Sequence, residues 1–222
     1  MKHDLIQRIV LGEYKNCYLS TNQIIINNNA YVQNDLKLFL TFSDDENVNE
    51  SWVMEFRGVS HYHNLMSIAY MPHFTIDLED HHPLLWTYHY DMVECELTGM
   101  QELDSRQMNE LIGEVAKCYH ENTFGFINLD SNPLLTRFKT KNGNHFFETN
   151  QKIIEITEGI FNKYNVHLSN KIIRTGKQKG SAFRPNAKVM IFRNPFISSK
   201  KTSFGQTYIV ADEISINLIE EG

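Results

Sequence analysis

Polar and apolar positions along this chain follow two rhythms, and the change from one to the other marks out its elements. In "DMVECELTG" every second residue is apolar, so Val93, Cys95 and Leu97 share one face of a strand and Glu94 and Glu96 the other. "DLKLFLTF", "SWVMEFRGVS" and "HFTIDLE" keep the same period, and "NKIIRT", "AKVMIFRN" and "GQTYIVADEISINL" add strands nearer the end. Two strand-like arms around Asn142-Gly143 predict a hairpin, because that dipeptide suits a tight primed turn. The asparagine cluster in "QIIINNNAYV" predicts another, since asparagine tolerates left-handed turn conformations.

"LDSRQMNELIGEVAKCYHEN" breaks the alternation. Met108, Leu111, Ile112, Val115 and Tyr119 recur at helical spacing, with Asp104 or Ser105 placed to cap the first amides. "HDLIQRIVLGEY" predicts a short first helix with Leu5, Ile9 and Val10 on its apolar face. "TNQKIIEITEGIFNKYN" predicts a third, striped by Ile153, Ile156, Ile160 and Tyr164. Strands and helices come in groups and do not alternate, so the expected class is α+β, a mainly antiparallel sheet with about three helices. The expected organisation is one compact domain over residues 1–222, with an acidic β-rich lobe at 1–103 and a lobe at 104–222 that ends in basic strands.

Composition narrows the class. The chain has 222 residues, 41% hydrophobic and 22% charged, enough apolar material to bury a core. No run approaches the roughly 20 apolar residues of a membrane span. Asp4, Arg8 and Glu13 interrupt the amino terminus where a secretory signal would be continuously apolar. Cys17, Cys95 and Cys118 are widely spaced and form neither a disulfide framework nor a CxxC pair. A cytoplasmic protein with no membrane partner is the expectation.

Charge changes the picture most. The net charge of −6 conceals fourteen acids against only Lys37 and Arg57 in residues 34–104, then ten bases and no acid in residues 159–211. An acidic face steers a basic protein partner and rejects acidic competitors. The leading expectation is therefore a non-enzymatic protein-binding module without a cofactor, in the manner of an inhibitor or immunity-type neutraliser. Its contact residues would be Asp44, Asp45, Glu46, Asp77, Glu79 and Asp80. The basic tract suggests nucleic-acid binding instead, with Lys177, Lys179, Arg184, Lys200 and Lys201 on phosphates and interspersed phenylalanines stacking on bases.

A third reading is catalytic. Residues 61–90 hold six of the ten histidines. His61 and His63 are two apart, so a strand projects both imidazoles to one side; with Asp77 they would hold a divalent transition metal for a hydrolase or oxygenase. Other chemistries lack their signatures. "TGKQKGS" misplaces the lysine of a phosphate loop, no GxSxG elbow occurs, and Cys118 and His120 point to different sides of a helix.

Overall fold

The computed structural model describes residues 4–14, 17–27, 34–43, 49–71, 74–123, 139–141, 144–174, 184–194 and 206–220. The fold is α+β and dominated by antiparallel sheets, as the grouped elements predict. It divides into two compact units: Met1–His82 with Asn186–Gly222, and Pro83–Pro185. The second is an uninterrupted insertion into the chain of the first.

The first unit contains helix α1 (Asp4–Leu11) and strands β1 (Tyr18–Asn27), β2 (Asn34–Ser43), β3 (Asn49–Val59), β4 (His61–His63), β5 (Tyr70–Met71) and β6 (Thr75–Glu79). After the insertion come β11 (Lys188–Arg193), β12 (Thr207–Ala211) and β13 (Glu213–Glu220). They form a five-stranded sheet, β13-β3-β2-β1-β5, and a four-stranded sheet, β4-β12-β11-β6. Alternation supplies a common core. Leu36, Leu38, Leu40, Phe42, Met54 and Phe56 come from the larger sheet, and Ile76, Met190, Phe192 and Ile209 from the smaller.

The stretch expected as one strand, "GQTYIVADEISINL", is two. Asp212 separates β12 from β13, which belong to different sheets, and its backbone N–H donates to the Arg57 carbonyl at 3.1 Å. The β3–β4 passage crosses at the same corner, where Gly58 has a φ of 64° that favours glycine. The hairpin read in "QIIINNNAYV" is carried by β1 and β2, paired from Tyr18↔Ser43 to Asn27↔Asp35; its proposed second arm at residues 30–32 lies outside the described residues. Helix α1 buries Leu5 and Ile6, not Val10. With only eight residues, it leaves Val10 and Leu11 in its last turn exposed.

The second unit holds α2 (Trp86–His89), β7 (Met92–Thr98), α3 (Ser105–Thr123), β8 (Lys139–Lys141), β9 (Asn144–Asn150), α4 (Gln151–Lys163) and β10 (His167–Arg174). After α2 the described elements run β-α-β-β-α-β, and the sheet order is β10-β7-β9-β8, every neighbour antiparallel. That is the connectivity of the split β-α-β, or ferredoxin-like, arrangement. Lys141 pairs with Asn144, so the expected hairpin forms, although residues 142–143 themselves are outside the described set. Helix α3 is capped reciprocally. Asp104 Oδ1 accepts from the Gln107 amide at 2.8 Å, and Gln107 Oε1 accepts from the Asp104 amide at 3.1 Å.

Both long helices cover the same face of this sheet. Leu111, Val115 and Tyr119 of α3 and Ile153, Ile154 and Phe161 of α4 enclose Val93, Cys95, Leu97, Phe147 and Leu168. The buried stripe of α4 is centred on Ile153, Ile154, Thr157 and Phe161, with the expected Ile156, Ile160 and Tyr164 only partly buried at its margin.

Candidate functional site

Two sheet faces carry concentrated chemistry, one in each unit. In the first unit it is one face of the β4-β12-β11-β6 sheet. Register sets His63, Tyr208, Ile191 and Asp77 in one row across the four strands, and His61, Val210, Val189 and Glu79 in the next. All eight therefore project to the same side. The Tyr208 ring packs beside both imidazoles, 5.5 Å from each by ring centroid, and its hydroxyl shares a 3.0 Å hydrogen bond with His61 Nε2. Partial desolvation of the ring, and then the neighbouring His63, hold the His61 pKa below the ordinary imidazole value, although the residue as a whole is exposed.

Asp77 does not join the histidines. It stands three strands from His63 in that row, about 14 Å at the usual strand spacing. Asp77 and Glu79 instead hold Arg193, whose side chain is only 6% exposed. Arg193 Nη1 donates to Asp77, Nη2 to Glu79 Oε1 at 3.3 Å, and Nε to Gln206 Oε1 at 3.4 Å. A buried guanidinium needs such partners, since the lone charge would be strongly destabilising. Nearby His82 is buried, and burial followed by the Arg193 charge pushes its pKa down to about 4.

In the second unit the chemistry is on the sheet face opposite the helices. Glu94 and Glu96 of β7 and Glu148 of β9 project there, and Glu94 is the Cα partner of Glu148. Glu94 and Glu148 are exposed. Like charges directly opposite one another across a strand pair are destabilising. The same register sets Lys171 at the β10 position opposite Glu94. The thiols of this unit are unsuited to nucleophilic work. Burial, with Glu94 adding to it, pushes Cys95 up to about 12, and burial raises Cys118, which donates to the Ile156 carbonyl at 3.1 Å.

The residues named from sequence are thus scattered. Asp77 and Glu79 bind Arg193, and Asp80 is 70% exposed, 3.6 Å from His81 Nε2. Of the nucleic-acid set only Arg184 is described; its backbone amide donates to the Tyr88 carbonyl at 3.0 Å. Asp44, Asp45, Glu46, Lys177, Lys179, Lys200 and Lys201 lie outside the described residues. Among the described residues no group of three or more His, Cys, Asp or Glu side chains gathers as a metal site.

Sequence reasoning missed one polar node. Glu50 accepts from Arg8 Nη2 at 2.7 Å, Tyr14 Oη at 2.5 Å and Trp52 Nε1 at 3.1 Å, tying α1 to β3. Its pKa is lowered although burial, the largest single influence, pushes it up; together the three donors outweigh burial. No spacing rule joins residues so far apart. Arg193 was more legible, because an arginine that closes the apolar run "VMIF" demands a partner on a neighbouring strand.

Comparison of the chain with protein-family models, with curated proteins and with solved structures finds no match in any of the three. Among the described residues no helix is long and apolar enough to cross a membrane.

Proposed function

We propose that this chain is a non-enzymatic protein-binding module that docks a basic partner on the outward sheet face of its second unit, around Glu94, Glu96 and Glu148. The observation that carries this reading is the direct opposition of Glu94 and Glu148, both exposed, on a face that the helices leave uncovered. Across the Glu94–Glu148 pair itself folding gains nothing. Lysines or arginines of a partner would relieve the repulsion and be steered toward it. The finer form is an inhibitor or immunity-type neutraliser, in which the acidic face covers the basic substrate-binding surface of an enzyme.

The test is affinity capture from cell extract with the full chain and with the triple variant Glu94→Lys/Glu96→Lys/Glu148→Lys, at low and raised salt. The expected result is a basic protein retained by the unaltered chain, released by salt and lost on charge reversal. Retention that ignores both salt and reversal removes this surface from consideration.

A further inference from the structure

We infer that His61 and His63, oriented by Tyr208, form a surface chelate for one divalent transition ion of the zinc or copper type. The site is independent of the acidic face in the second unit. The two histidines occupy alternate positions on β4, an edge strand of the four-stranded sheet, so both imidazoles leave the same face. Both are exposed, which leaves ring nitrogens within reach of an ion from solvent.

Tyr208 supplies the element that an arbitrary histidine pair lacks. It is 7% exposed and pairs in register with His63, so the sheet fixes its ring beside both imidazoles. Its hydroxyl lies 3.0 Å from His61 Nε2. With Nε2–H donating to that oxygen, the His61 lone pair resides on Nδ1 and the ring is held in one orientation. Metal-binding imidazoles are commonly positioned in this way, by a hydrogen bond from the nitrogen that does not bind the ion. Tyr208 is thus a positioning residue, and the two imidazoles are the ligands.

The donor chemistry selects the ion. Neutral imidazoles suit zinc and copper, whereas magnesium and calcium require oxygen ligands. Asp77 is three strands distant and contributes nothing. Two protein ligands with water completing the shell make an open, exchangeable site, unlike the closed four-ligand sites that hold folds together.

The experiment titrates Zn2+ and Cu2+, each alone, into the full chain by calorimetry, and follows the histidine ring signals by NMR. The expected result is saturable one-to-one binding in which the signals of His61 and His63 move first. Either His61→Ala or His63→Ala removes most of the affinity, Tyr208→Phe weakens it roughly tenfold, and His167→Ala, at an exposed histidine of the second unit, leaves it unchanged. Binding that persists in the double variant His61→Ala/His63→Ala, shifts confined to other histidines, or no saturable binding overturns the inference. The NMR titration uses the unaltered chain, so it decides even if a variant fails to fold.

Discussion

Arg193 and His82 show how far the meaning of one residue depends on what lies across the sheet. Arg193 ends a strand of buried apolar side chains and survives burial because Asp77 and Glu79 face it from β6. The nearby guanidinium in turn adds to the burial that keeps His82 neutral, with a pKa near 4 against an ordinary 6.5. On acidification the unfolded chain therefore takes up this proton first. Stability should rise with pH between about 4 and 6.5, and the contribution from His82 should be gone below that window. Each tenfold loss of proton affinity is worth about 1.4 kcal/mol, so the full effect is roughly 3 kcal/mol. Urea unfolding of the native chain and of His82→Gln across this range checks it. The variant should show a distinctly shallower dependence, and parallel curves would refute the assignment.

At the scale of elements, local signals suffice wherever a local cause fixes the structure. Helix α3 has its apolar stripe and a reciprocal cap at Asp104 and Gln107, so propensity, pattern and capping agree. Helix α4 starts equally well. Asn150 is buried in an extended conformation, and its side chain accepts from the Ile153 amide at 3.1 Å. Asn150→Ala should cost about 1 kcal/mol and Asn150→Asp much less, measured by thermal unfolding followed at a helical wavelength. Equal losses in both variants would mean that packing, and not the cap, is what the residue supplies. Gly99, by contrast, is set by tertiary contact. Its φ is 91°, and a Cβ there would meet the Asn165 carbonyl oxygen at 2.9 Å, a residue far along the chain.

For the whole molecule, the informative fact is where the chain leaves and re-enters the first unit. β6 and β11 are antiparallel neighbours, with Glu79 paired to Val189, and the second unit is inserted between them. Pro83–Pro185 has its own sheet, two covering helices and a separate core, which is what independent folding needs. A fragment of residues 83–185 should unfold cooperatively and show helical circular dichroism. A fragment without a cooperative transition would mean that this core is insufficient alone.

The insertion also reorganises the charge layout. Asp77 and Glu79 of β6 bind Arg193 of β11 in the first unit, and Glu94 of β7 is the register partner of Lys171 of β10 in the second. Single members of the two tracts thus stand on adjacent strands inside each unit. What stands out afterwards is the smaller acidic group around Glu94 and Glu148, which a count along the chain could not isolate.

Periodicity and turn chemistry, read from the chain alone, settled the α+β class, helix α3 and the Asn142-Gly143 hairpin, because the elements behind each are set by residues within a few positions of one another. Tertiary structure alone decided that Asp77 meets Arg193 across 116 residues, that Tyr208 packs against both His61 and His63, and that β12 and β13 part at Asp212. Those outcomes depend on which strands become neighbours, and neighbour choice is a property of the packed sheet that no short window of sequence contains.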